Sequence, residues 1–333
     1  MLSELSSRRW ATILHPLLID AWSEARTQIL LASRLDTDSP ALMITDPDHM
    51  GDPAQRVDLH MHQFLAAGLH KHYPAMNVYG EEATLGSVLM SRDFPYIAYL
   101  DAIDGSAQAW SLPGAWGNVV VIQEAVFPEP GTPQLELRFV AVVDAEGGTT
   151  TAEAADPFVT VRTLYQIEAD TVDDDPLSYE PGEDLYQITG TPTVLVGGYK
   201  PTWWARFAEL RRRIAEVWPA APVFNTAGAP VARKVIQNSD NVAVQLTAST
   251  LWDGAAALLI ARAGGVVWPV GAEQPLNRDE VWQIWSQFGY EPKPDDPGRH
   301  RPAAVIPPFV AGMRGDRVEA AIRVCSDLPP AVS

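Results

Sequence analysis

The sequence contains a single cysteine, Cys325, among its 333 residues. One thiol cannot form an intrachain disulfide, and it cannot build a zinc site from several cysteines. This cysteine usage fits a reducing compartment, and the N-terminal segment lacks the apolar stretch and cleavage site of a secretory signal. We therefore predict a cytoplasmic protein.

Basic residues are also scarce, with 24 Lys and Arg against 42 Asp and Glu, for a net charge of −18. A field of this sign repels nucleic acids and anionic membrane surfaces. No apolar run approaches the roughly 20 residues that a membrane helix needs. We predict neither kind of partner, and a small phosphorylated ligand is expected to bind only where a cation screens the field.

The residues that are present are those of a globular protein, 47% hydrophobic and 20% charged. A chain of this length usually divides its core, and we predict two lobes, 1–123 and 124–333. Apolar spacing predicts helices near 9–34, 57–72, 201–218, 250–265 and 316–326, the first of them either one long helix or two joined at Pro16. Strands are predicted at 96–100, at 118–122 and through much of 124–200. The acidic run 168–186 is expected to form a solvated loop.

The stretch "YLDAIDGS" at 99–106 places Asp101 and Asp104 three residues apart after an apolar run. Two carboxylates turned to one point suit a hard cation such as Mg²⁺, which takes oxygen ligands and often binds a substrate phosphate as well. Gly105 and Ser106 could then bind phosphate through backbone N–H groups. Taken alone, however, the same residues are also typical of a tight turn.

Two further acidic positions are ambiguous in isolation. Glu81 is one of two adjacent acids in "GEE", a pattern typical of an exposed surface. Asp253, in "LWDGAAALL", could be an ordinary helix N-cap. The metal-site interpretation therefore depends on the combination and the order of these motifs.

In that order, "YPAMNVYGEE", "YLDAIDGS" and "LWDGAAALLIARAGG" resemble the motifs of the inositol monophosphatase-like family. This family lies within the metal-dependent, lithium-sensitive phosphatases that include fructose-1,6-bisphosphatase. The resemblance covers about residues 15 to 270. It implies a layered αβαβα sandwich of the sugar phosphatase type, a homodimer, and a phosphomonoesterase in which a metal-activated water attacks phosphorus.

The resemblance also assigns metal ligands. It implies one metal held by Glu81, Asp101 and the carbonyl of Ile103, and a second held by Asp101, Asp104 and Asp253. The expected cofactor is Mg²⁺, two or three ions per site, with Mn²⁺ as an alternative.

Other site residues are implied in the same way. Asp58 occupies the place of an acid that completes a third, weaker metal site. Gly105 and Ser106 would bind phosphate, and Glu81 and the Ser106 hydroxyl would orient the attacking water, which makes Glu81, Ser106 and Asp104 the expected catalytic residues.

Several positions depart from the family pattern. Ala102 replaces the usual Pro, and Ser106 the usual Thr. Near 245–246, where inositol-type enzymes have a Glu that binds sugar hydroxyls, this chain offers Gln245 and Leu246. His62 replaces an acid four residues after Asp58, and a contact between these two side chains would weaken the third metal site.

Other chemistries are less well supported. His60 and His62, like His70 and His72, are two residues apart and point to different helix faces, unlike helical zinc ligands. No GxSxG elbow surrounds a serine. The prediction is thus a Mg²⁺-dependent phosphomonoesterase for a sugar, cyclitol or nucleotide phosphate. The alternatives are a nucleoside 3',5'-bisphosphate 3'-phosphatase and a non-catalytic metabolite-binding relative of the same fold.

Overall fold

A computed structural model gives the fold of most of the chain. It describes residues 10–33, 53–80, 93, 95–105, 109, 116–127, 134–156, 158–162, 177–179, 190–197, 204–286, 290–293, 296–302, 306–326 and 328. The helices within these residues are α1 (Trp10–Ser33), α2 (Pro53–His72), α3 (Trp204–Val217), α4 (Val231–Gln237), α5 (Ala255–Arg262), α6 (Arg278–Ser286) and α7 (Gly315–Ser326).

Fourteen strands are described. They are β1 (Asn77–Gly80), β2 (Tyr96–Asp104), β3 (Gly117–Val126), β4 (Gln134–Asp144), β5 (Thr149–Glu153), β6 (Val159–Arg162), β7 (Leu177–Tyr179), β8 (Val194–Gly197), β9 (Val223–Asn225), β10 (Val242–Gln245), β11 (Val266–Pro269), β12 (Tyr290–Lys293), β13 (Asp296–Pro302) and β14 (Phe309–Gly312).

The first seven strands form one sheet in chain order. β1 and β2 are parallel, and the remaining pairs are antiparallel. Nearly every residue of β2, β3 and β5 is buried, because both faces of this sheet are covered. Runs such as "NVVVI" in β3 are apolar for the same reason.

One face of the seven-stranded sheet is covered by α1 and α2. Leu14 and Leu18 of α1 and Leu65 of α2 pack against Leu100 and Val120 of the sheet. α1 is continuous through Pro16, which lies in its second turn and, having no N–H, cannot donate the helical hydrogen bond of that position.

The opposite face packs against α4, α5 and α6. These helices also contact the second sheet, whose residues Leu195 and Ala311 belong to the same core. That sheet has the order β11-β14-β10-β8-β9. Its outer face is covered by α3 and α7, for example through Leu210 and Val318. The layers run helix, sheet, helix, sheet, helix, which confirms the αβαβα sandwich.

The structure corrects the expected end of one strand. β2 continues through Asp104, beyond the predicted strand at 96–100. Within the acidic run 168–186, only 177–179 is described, and it forms strand β7. The predicted boundary between the lobes at 123 stays a prediction, and β3 spans it. Among the described helices, none combines the length and apolarity needed to cross a bilayer.

Candidate metal centre

The site begins with an irregularity in β2. Asp101 pairs with Val119 and Asp104 with Gly117, so three steps along β2 match two along β3. The extra residue makes a β-bulge. In a regular strand, residues three apart point to opposite faces. The bulge therefore explains how two carboxylates at this odd spacing come to the same side.

Asp104 is oriented by a loop from the distant second half of the chain. Its carboxylate accepts hydrogen bonds from the backbone N–H groups of Gly228, at 3.2 Å, and Ala229, at 2.6 Å. The two backbone donors bind different oxygens of the carboxylate, which fixes its plane. The two donors lie just before α4.

Asp253 lies in the turn before α5, and its Oδ2 accepts from the N–H and the hydroxyl of Thr250 at 3.1 and 2.8 Å. The N-cap position of α5 is Gly254, which has no side-chain cap bond. The N-cap interpretation of Asp253 is thus not the observed arrangement. Its carboxylate is held by the turn that precedes it.

Asp101, Asp104 and Asp253, here called the acidic cluster, each contribute a carboxylate oxygen, and these oxygens all lie within 4.8 Å of one another. Asp101 and Asp104 are buried, and Asp253 is half-buried. Three negative charges this close repel one another strongly where water is excluded. Two oxygens bound to one Mg²⁺ at about 2.1 Å are at most about 4.2 Å apart. The oxygens are therefore close enough for a divalent cation to draw them into one coordination shell.

Three aromatic residues lie next to the acidic cluster in the sequence or in the sheet. Tyr99 precedes Asp101 by two residues on β2, and Tyr79 on β1 pairs with Tyr99. Trp252 directly precedes Asp253. Ring centroids are 6.3 Å apart for Tyr79 and Tyr99 and 6.5 Å apart for Tyr99 and Trp252. Burial raises the pKa of Tyr79 to about 12 and that of Tyr99 further. Both hydroxyls are therefore neutral near pH 7.

The other predicted ligands are placed only in part. Ile103 is buried within the bulge. Gly105 follows β2 with φ of 90°, a left-handed conformation that strains residues bearing a Cβ. Asp58 is buried on α2 and is not in the acidic cluster. Glu81 and Ser106 lie outside the described residues, so their roles stay predictions.

His62 lies one turn after Asp58 on α2 and is 2% exposed. Its ring packs on Gly80, where a Cβ would lie 2.3 Å from Nδ1. Burial lowers the pKa of His62 to about 4, so it is neutral near pH 7. His62 consequently brings no positive charge to the vicinity of Asp58.

Gln245 ends β10 and is buried. Its Oε1 is 2.6 Å from the place that a Cβ on Gly197 would take, and the Cα of Gly228 is 2.9 Å from the same place. A Cβ on Gly228 would in turn meet the Asp253 carbonyl at 3.2 Å and Asp104 Oδ2 at 3.5 Å. Contacts thus run from Gln245 through two glycines to the acidic cluster.

Sequence reasoning missed Asn118, Gly228, Ala229 and Thr250. The Asn118 side-chain N–H donates to the carbonyl of Ala102 inside the bulge. A signal for it existed, since Asn118 is the only polar residue in the run "NVVVI". The other three act through backbone geometry or local turns, for which the sequence offers no comparable signal.

An αβαβα sandwich with a carboxylate cluster at the C-terminal end of strand β2 defines the structural class. No family model matches the sequence, and no curated protein matches it. Solved structures do match. Inositol monophosphatase II of Staphylococcus aureus has a TM-score of 0.55 at 14% identity, covering 95% of this chain and 96% of that one.

Two other solved structures agree. The suhB extragenic suppressor protein of Bartonella henselae has a TM-score of 0.56 at 12% identity, covering 94% of this chain and 98% of its own. The Thermotoga maritima inositol monophosphatase has a TM-score of 0.54 at 14% identity, covering 94% and 97%. The fold of this protein is that of the inositol monophosphatases.

Proposed function

We propose that the protein is a Mg²⁺-dependent phosphomonoesterase acting on a small phosphorylated metabolite. The observation that carries the proposal is the acidic cluster, which brings three carboxylates from two distant segments within 4.8 Å. Buried like charges are costly unless a cation compensates them. Their convergence within this fold therefore favours a metal-dependent reaction.

We expect Asp101, Asp104 and Asp253 to hold divalent cations together with Glu81 and the Ile103 carbonyl. Asp58 is the expected outer carboxylate. When bound, such cations neutralise phosphate charge and lower the pKa of a coordinated water. The hydrogen bonds from Gly228 and Ala229 would keep Asp104 in a binding orientation without ligand-induced rearrangement.

The chain's own residues then have separate tasks. Gly105 can bring backbone close to a phosphate because it lacks a Cβ, and Ser106 would supply an N–H and a hydroxyl. Glu81 and the Ser106 hydroxyl would orient the attacking water. Phosphoryl transfer requires mainly positioning and charge neutralisation, so this set needs no covalent nucleophile.

The substrate class follows from the other side of the site. Gln245 offers a neutral amide, which can bind hydroxyl or base groups without adding negative charge. Staphylococcal inositol monophosphatase II has been solved with inositol monophosphate and with 2'AMP. The second ligand favours keeping a nucleotide phosphatase, including a nucleoside 3',5'-bisphosphate 3'-phosphatase, as the alternative substrate class.

Phosphate release from a panel of cyclitol, sugar and nucleotide esters tests the proposal, with Mg²⁺ and with chelator. We expect release only with the metal, and its loss in Asp104→Asn. Glu209→Gln, at a half-buried position on α3, is the matched control, because Glu209 pairs only with neighbouring arginines in the described residues.

Release that survives chelation, or is unchanged in Asp104→Asn, would contradict the two-metal mechanism. No release from any ester, together with retained ligand binding, would favour a non-catalytic metabolite-binding protein. We also propose a cytoplasmic homodimer, which light scattering of the purified chain would test for its oligomeric state.

A further inference from the structure

Asn118 is an unusual residue for its position. It opens an apolar run in β3 and is 0% exposed. Its Nδ2 lies 2.5 Å from the carbonyl oxygen of Ala102. Because a carbonyl only accepts hydrogen bonds, the nitrogen end of the amide must face it.

The accepting carbonyl lies at the bulge. Ala102 stands between Asp101 and Asp104, where the pairing of β2 with β3 is interrupted. A bulge removes a regular ladder bond, and a buried carbonyl needs another donor. The Asn118 side chain supplies that donor from the facing strand.

Asn118 reaches the bulge from the far side of the sheet. Val120 and Ile122, two and four residues on, pack into the core formed with α1 and α2. Val119, the partner of Asp101, packs into the other core. Since strand residues alternate between faces, Asn118 acts on the acidic cluster through backbone alone.

The other end of the amide supports a specific purpose. Asn118 Oδ1 is buried and has no hydrogen-bond partner among the described residues. A buried acceptor left unpaired is unfavourable and calls for an explanation. The explanation we infer is that the Nδ2 donor at the opposite end is required to hold the bulge.

We propose that Asn118 is a positioning residue that holds the Asp101–Asp104 bulge in its metal-binding geometry. This inference rests on the proposed metal site. A Pro at 102 would fix φ near −65°, whereas Ala102 leaves that torsion free. The Asn118 hydrogen bond holds the carbonyl of Ala102 and so restrains the backbone of the same residue by another route.

The test is calorimetric titration of the full chain with Mg²⁺ and with Mn²⁺, without substrate. Asn118→Leu keeps the size of the side chain and removes the donor. We expect its affinity for both ions to fall about 10- to 100-fold, as for other residues that orient metal ligands. The KM for an ester at saturating Mg²⁺ should be unchanged.

Val120→Ala is the matched control, because Val120 is buried on the same strand and face. It should lower thermal stability and leave metal affinity intact. Ala102→Pro added to Asn118→Leu should recover affinity, which would show that the effect passes through the backbone of residue 102. Wild-type affinity in Asn118→Leu, or an equal loss in Val120→Ala, would overturn the proposal.

The experiment separates this inference from the proposed function. Weaker metal binding in Asn118→Leu, with no ester hydrolysed even by the wild type, would support the inference and contradict the phosphatase. Hydrolysis by the wild type with normal metal binding in the variant would do the reverse. Absence of binding by the wild type would overturn both.

Discussion

The two sides of the candidate site are built in different ways. On the metal side, two of the three clustered acids, Asp101 and Asp104, come from one short stretch of β2, and Asp253 joins them from a distant segment. On the side where we place the leaving group, Gly197, Gly228 and Gln245 come from three separate segments that meet through close backbone contacts. A short motif can therefore define the reaction, whereas selectivity depends on how distant segments pack.

The largest effect is expected on the metal side. Asp101→Asn removes a charged ligand from the acidic cluster. Loss of groups that only orient metal ligands lowers metal affinity or activity about 10- to 100-fold. Loss of an expected ligand itself should therefore lower kcat by more than about 100-fold. Steady-state assays and Mg²⁺ titration measure this. Asp279→Asn, exposed on α6, is the control; similar losses in both variants would refute the assignment.

Gly228→Val tests the boundary between the two sides. Its Cβ would lie 3.2 Å from the Asp253 carbonyl and 3.5 Å from Asp104 Oδ2, and its methyl groups would push further between them. We expect Mg²⁺ affinity and kcat/KM to fall about 10- to 100-fold. In Gly315→Ala the new Cβ meets only Val266, at 3.8 Å, and should have little effect. Equal Mg²⁺ affinities in the two variants would show that the Gly228 contact does not set the ligand geometry.

Gln245→Leu tests the leaving-group side alone. It keeps the volume and removes the amide, so an ester that bonds to Gln245 should lose up to about 10-fold in kcat/KM, while half-saturating Mg²⁺ stays the same. Comparing esters of different alcohols measures the change in selectivity. Gln134→Leu, at the exposed start of β4, should change nothing. A uniform loss across all esters, with weaker Mg²⁺ binding, would place Gln245 on the metal side instead.

The smallest effect on activity is expected from His15, remote from both sides. Its Nε2 lies 3.2 Å from the Thr149 hydroxyl, and burial lowers its pKa to about 4. The folded pKa is below the unfolded value of 6.5. Its contribution to stability is therefore complete above about pH 6.5 and is lost as the pH falls toward 4.

Urea unfolding at pH 7 and pH 5 checks this. Between these two pH values, the unfolding free energy of His15→Gln should fall by less than that of the wild type, with a difference on the order of 2 kcal/mol. Metal affinity at pH 7 should not change. His72 is exposed at the end of α2, so the unfolding free energy of His72→Gln should fall as much as that of the wild type. An equally large fall in His15→Gln would exclude His15 as the cause.

Much of the architecture was predictable because it depends on local pattern. Apolar spacing predicted helices over 9–34 and over the Ala-rich stretch that ends at 265, where α1 and α5 are observed. The layered sandwich came from the resemblance of three motifs. The continuation of β2 through Asp104 was missed, since "DAIDGS" has the composition of a turn and a bulge depends on its partner strand.

By itself, the sequence determined the chemical types at the site: acids in a fixed order, a glycine where the chain turns left-handed, and a neutral amide near 245. Tertiary structure decided which of them meet. The bulge brings Asp104 beside Asp101, and the Gly228 loop orients Asp104 from a distant segment. Side-chain chemistry belongs to single residues, whereas convergence requires pairing and packing between segments far apart in the chain, which no local pattern encodes.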